Sequence, residues 1–193
     1  MKDKLWEAIE FLEKSKQIIS EIKKDSILSA VDMLYEAWED DNQVFIIGNG
    51  GSASIATHFA CDLNKPLGFK ALALVDNIPL VSALTNDDGW NNIYINQLKT
   101  WLYSGDIVIG ISVHGGKGKD KAGKWSQNLL RAMNYAKSMN AKTISLVGFD
   151  GGIMKEISDI SILVPANSTP QVEGIFPLLT HLICHLLKKR IEE

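Results

Sequence analysis

Only two cysteines, Cys61 and Cys184, occur in the 193 residues, and both fall within helix-like segments. A disulfide-stapled scaffold is therefore not expected, and a reducing, cytoplasmic setting is. No stretch approaches the ~18 uncharged apolar residues that a membrane-spanning helix needs. The opening MKDKLWEAIEFLEKSK is charged throughout and has no apolar h-region, so it does not read as a signal peptide. Basic residues are not in excess. With 20 Lys and Arg against 23 Asp and Glu the net charge is −3, which argues against a nucleic-acid partner. A disordered chain is excluded by 46% hydrophobic and only 22% charged residues. Internal repeats and long linkers are also missing. One globular domain over residues 1–193 is expected, long enough to bury about 70% of its unfolded surface.

Apolar residues recur at helical spacing through residues 4–24 (Leu5, Ile9, Leu12, Ile18, Ile19, Ile22), with charges between them. A second amphipathic helix is expected over 26–39, with Ser26 as N-cap. Two such helices ahead of the first strand present more apolar surface than one small sheet covers. The segment 1–41 is accordingly expected to form part of an oligomer interface. From Val44 onward, short β-branched runs alternate with helical stretches: VFIIG at 44–48, ALALV at 71–75, IVIGIS at 107–112, TISLVG at 143–148 and ISILV at 160–164. Runs apolar on both faces belong to parallel strands covered on each side. Helices are expected at 52–64, 78–102, 125–139, 151–157 and 171–190. The fold class for 42–193 is a three-layer α/β/α sandwich with a five-stranded parallel sheet, so ligands should bind beyond the strands' carboxyl ends.

The first strand runs into Gly48-Asn49-Gly50-Gly51-Ser52 and then a helix. Three glycines in four residues let the backbone approach a ligand, and the helix N-terminus favours an anion. A phosphate cradle and a tight turn capped by Ser52 are both consistent with these residues. The pattern is neither a P-loop, which needs Lys after its last glycine, nor a dinucleotide loop. On the helix that follows, His58 and Asp62 are four apart and share a face, as a metal pair or a proton-transfer pair would. An exposed ion pair is the simpler alternative. The final helical stretch carries His181 and His185, also four apart, among leucines and isoleucines; His185 is assigned to packing.

The stretch GNGGSASIATHFACDL resembles the opening motif of sugar isomerase (SIS) domains, and within them the sedoheptulose 7-phosphate isomerase, or phosphoheptose isomerase, family. The resemblance also covers the two leading helices, LTND at 84–87, a serine-bearing loop after the third strand, GFDGG at 148–152 and the long last helix. It implies a carboxylate at position 62 as catalytic base and metal ligand, where the family has Glu and this chain has Asp62. It implies His181 as general acid. A family Gln eight residues before that His corresponds to Glu173, so the implied metal set is His58, Asp62, Glu173 and His181, with zinc the probable ion by ligand type. Asn49, Gly50, Gly51, Ser52, Asp87, Ser112, His114 and Ser126 would bind the substrate. His114 replaces a small hydroxyl residue. The middle of the third-strand loop is replaced by a longer insert over 115–124 with four lysines, either closing on an anion or simply solvated.

The implied activity is aldose–ketose isomerisation of a phosphorylated sugar, a seven-carbon one by family, in a homotetramer with sites at subunit junctions. The alternatives are a non-catalytic SIS sugar-phosphate sensor or protein-binding regulator, and an isomerase of a different phosphosugar.

Overall fold

The computed structural model describes residues 2–116 and 125–193. Two helices, α1 (Lys2–Glu21) and α2 (Lys24–Glu39), precede β1 (Gln43–Gly48). There follow α3 (Gly51–Asn64), β2 (Lys70–Ala73), α4 (Ile78–Asp88), a 3₁₀ turn (Trp90–Asn92), α5 (Ile93–Trp101) and β3 (Ile107–Ser112). The chain ends with α6 (Gln127–Ser138), β4 (Lys142–Val147), α7 (Gly152–Ile157), β5 (Ile160–Leu163) and α8 (Thr169–Glu192). All four strand pairings are parallel, in the order β2-β1-β3-β4-β5. The chain direction across the sheet therefore reverses between β1 and β3, and a crevice opens there beyond the strand ends.

Alternation along the strands assigns the two cores. Val44 and Ile46 of β1, with Ile107, Ile109 and Ile111 of β3, pack against α2, α3 and α8. Phe45 and Ile47, with Val108 and Val147, face α5, α6 and α7. At the opposite end of the sheet, the buried Asp106 carboxylate accepts from the Gln43 and Tyr103 amides, both at 2.8 Å, tying β1 to the approach to β3. Among the described residues, no helix is long and apolar enough to cross a membrane.

Two local expectations are corrected. The single helix expected over 78–102 is broken, because Gly89 at φ +80° ends α4 and the 3₁₀ turn re-aims the chain into α5. Ser26 does not cap α2; the helix starts two residues earlier, and the Ser26 hydroxyl donates to the Lys23 carbonyl. α8 continues through Pro177. Ile18 of α1, and Ile22 just beyond its end, are buried in the core, whereas Leu5, Trp6 and Leu12 are about two-thirds exposed (65%, 67% and 67%).

The junction between β1 and α3 leaves no room for a side chain. A Cβ on Gly48 would stand 2.5 Å from the Ser52 carbonyl oxygen, a backbone atom that cannot swing aside. Gly48→Ala is expected to cost about 2–3 kcal/mol. Calorimetry should read this as a fall of roughly 5–10 °C in melting temperature; an unchanged melt would mean the junction yields freely.

Candidate active site

The crevice at the sheet reversal is built first from backbone. β1 ends at Gly48, Asn49 turns the chain, and Gly50 at φ +57° starts α3, with Ser52 N–H donating to the Asn49 carbonyl at 3.1 Å. The Tyr94 hydroxyl, buried under the loop, donates to the Gly48 carbonyl. Burial pushes that phenol well above its ordinary value, so it stays a donor. Asn49 and Asn128 exchange two amide hydrogen bonds, at 3.0 and 2.8 Å, which join the loop after β1 to the start of α6. After β3, the Ser112 hydroxyl accepts from the Gly115 amide at 3.0 Å. The result is a cavity of about 190 Å³ lined by Asn49, Ser52, Ser112, His114, Ser126 and Glu173, with Ile111, Val113, Leu129 and Thr169. The His114 ring lies 4.3 Å from Phe149 and 5.8 Å from Trp125.

A second constellation lies farther along the same helix. α3 and α8 lie side by side through Ala56, Phe59, Leu63, Ile175, Leu179 and Ile183, all buried. That seam carries His181 to the turn of α3 that holds His58 and Asp62. Asp62 Oδ2 is 3.4 Å from His58 Nε2 and 3.2 Å from His181 Nδ1, and the two rings meet edge to face at 5.0 Å. Oδ2 is buried, yet neither approach has hydrogen-bond geometry. An acceptor flanked this way by two imidazole nitrogens fits a shared cation. Zinc bonds of ~2.0–2.1 Å would put tetrahedral donors about 3.3 Å apart, and the three donor atoms here lie within 4.8 Å of one another. Asp62 also acts on Cys184: burial chiefly, and that negative charge next, push the thiol up to about 12.

The SIS domain family profile matches residues 10–148. The phosphoheptose isomerase of Helicobacter pylori is 35% identical over 185 residues, which is 93% of this chain and 90% of that protein. The corresponding enzyme of Aliarcobacter butzleri is 31% identical over 178 residues, 90% of this chain and 89% of that protein. The solved structure of a phosphoheptose isomerase from Francisella tularensis superposes with a TM-score of 0.86 at 25% identity, covering 96% of this chain and 98% of that one. The chain belongs to the SIS-domain phosphoheptose isomerase family.

Against the family pattern set out above, the structure brings His58, Asp62 and His181 together and leaves Glu173 apart. Eight residues of helix rise ~12 Å, and Glu173 stands at the other end of the seam, its carboxylate against Gly51. Asn49, Ser52, Ser112, His114 and Ser126 share the cavity with Glu173, whereas Gly50 and Gly51 do not line it and form the turn into α3. Asp87 lies outside, exposed in the last turn of α4, where it accepts from Asn86 at 2.7 Å. His185 is exposed and not packed as expected; with Asp62, His181, Cys184 and Lys188 it lines a cavity of about 270 Å³. Residues 117–124, with the lysines of the insert, lie outside the described residues.

Tyr94 and Thr169 are site residues that the sequence reading did not include, whereas Asn128, with Ser126, matches the serine-bearing loop of the family. A lone Tyr on an otherwise apolar helix face was the available signal for the first; nothing local marks the amide pair. Replacing Asn128 by Asp keeps its shape but turns a donor into a buried charge facing the Asn49 carbonyl oxygen. The cost should be about 2–3 kcal/mol, read by denaturant unfolding, and a wild-type midpoint would show that the pair contributes little.

Proposed function

We propose that the chain interconverts sedoheptulose 7-phosphate and an aldoheptose 7-phosphate through an enediol. The observation that carries the reading is the Asp62 carboxylate, held between two imidazoles on the helix that begins at the anion-favouring crevice. Oδ2 faces His58 and His181, and Oδ1 has no hydrogen bond among the described residues, which leaves it free as a base. Asp62 takes the proton from C1, next to the C2 carbonyl, while His181 protonates the carbonyl oxygen. The enediol then receives the proton at C2, and His181 removes one from the C1 hydroxyl, leaving the aldehyde. The backbone N–H groups at the start of α3, with Ser52, Ser112 and Ser126, would hold the phosphate. His58, Asp62 and His181 would hold a divalent cation, zinc by donor chemistry, which when bound supplies Lewis acidity towards the sugar carbonyl. Both cysteines are free, in keeping with a cytoplasmic enzyme.

Asp62 is one methylene shorter than the family's Glu, and a displacement of ~1 Å can cost 10²-fold in rate. That favours, as a second reading, a different phosphosugar whose reacting carbons sit closer to α3. A panel of five-, six- and seven-carbon ketose phosphates separates the two. A non-catalytic sensor would bind one of these tightly and turn over none, with zinc saturating.

Asp62→Asn is expected to lower kcat at least 10³-fold with little change in melting temperature, and His181→Gln to lower it 10²–10⁴-fold. Either variant with wild-type turnover removes that residue from the chemistry.

The apolar stripe of α1 also supports a homotetramer, since an exposed face bearing Leu5, Trp6, Ile9 and Leu12 is costly to leave in water. Light scattering behind size exclusion should give four chains per particle. Trp6→Glu with Leu12→Glu should shift it to smaller species; a wild-type monomer would refute the assembly.

A further inference from the structure

Glu173 brings a carboxylate into the crevice beside the start of α3. A Cβ placed on Gly51 would lie 2.8 Å from its Oε1, 3.1 Å from Cδ and 3.4 Å from Oε2, so the carboxylate rests against the first residue of α3. Gly51 does not have a positive φ, unlike Gly50, so its missing side chain serves close approach and not backbone conformation. The group that makes the approach is Glu173. It lines the same cavity as Asn49, Ser52, Ser112 and Ser126, whose amide and hydroxyl groups can donate to an anion. It is half-buried, and among the described residues no lysine, arginine or histidine pairs with it. It also stands outside the His58–Asp62–His181 cluster.

A carboxylate is stabilised at the positive end of a helix by the same dipole that stabilises phosphate. Both are acceptor-only anions, so they cannot share the donors, and a sugar phosphate carries nearly two negative charges at neutral pH. We propose that Glu173 is a resident anion of the phosphate cradle, a specificity-determining residue that competes with the substrate's phosphate for the N-terminus of α3. The inference rests on the phosphate-binding role assigned to that crevice above. Its consequence is a raised threshold for phosphate. Ligands held by phosphate alone bind weakly, and those whose sugar hydroxyls can also donate to the displaced carboxylate are favoured. The family's Gln at this position carries no charge and would exert no such filter.

Inorganic phosphate is titrated calorimetrically into the full-length wild type, Glu173→Gln and Glu173→Ala at low ionic strength, with circular dichroism to verify folding. Both variants are expected to bind phosphate about tenfold tighter or more, and the gain should shrink in 0.5 M salt as screening sets in. Equal or weaker binding in both variants overturns the proposal. So does an absence of phosphate binding in all three proteins, while turnover of sedoheptulose 7-phosphate by the wild type, measured separately, would leave the isomerase reading standing. Elemental analysis after zinc loading should give Glu173→Ala the same metal content as the wild type. Loss of metal in that variant would assign Glu173 to the cluster and refute its role as the cradle's own anion.

Discussion

The apolar seam between α3 and α8 is what the rest of the molecule's chemistry depends on. Phe59 and Leu63 on one helix, and Ile175, Leu179 and Ile183 on the other, are all buried within 3% exposure or less. Side chains of this size contribute ~1.5–3 kcal/mol each when removed from water. That is enough to hold two helices in a fixed rotation about their axes. The polar residues one position off the seam are then not free to choose their neighbours. His58 and Asp62 follow from the phase of α3, and His181 from the phase of α8. The cost of keeping a part-buried carboxylate oxygen beside two imidazoles, without a hydrogen bond, is offset by packing elsewhere along the same contact.

The second constraint lies at the sheet. β1 and β3 are neighbours whose connections leave in opposite directions, so their carboxyl ends open a crevice that no crossover covers. Into it the chain delivers a glycine-rich turn from β1 and a serine-bearing turn from β3. The Asn49–Asn128 pair, together with the hydroxyl of Tyr94, stiffens the first of these from both sides. The crevice opens at the start of α3, and the histidine cluster lies towards the end of the same helix.

The two departures from the family pattern fall beside the two ends of α3. Asp62 draws the carboxylate back towards its helix, and Glu173 adds a negative charge where the crevice favours one. Each is a small chemical change, a methylene lost and an amide exchanged for an acid, at a point where geometry or charge governs the chemistry. Both leave the fold as it is, because neither side chain belongs to the apolar seam.

Much of the architecture was legible in the residues themselves. Apolar runs marked all five strands, β-branched most clearly in β1, β3 and β4, which are buried on both faces, and the glycine-rich turn marked where the ligand crevice would lie. The broken helix at Gly89 was hidden by an apolar period that continues across it, and the exposure of His185 by the leucines on either side. Neither the reversal of strand order nor the Asn49–Asn128 pair has any local signature, because each joins segments far apart in the chain. The placement of Glu173 shows the difference most plainly. Its spacing from His181 names two residues on one helix, but the ends of a 12 Å rise meet different neighbours, and only the packing of α8 along α3 decides which ones.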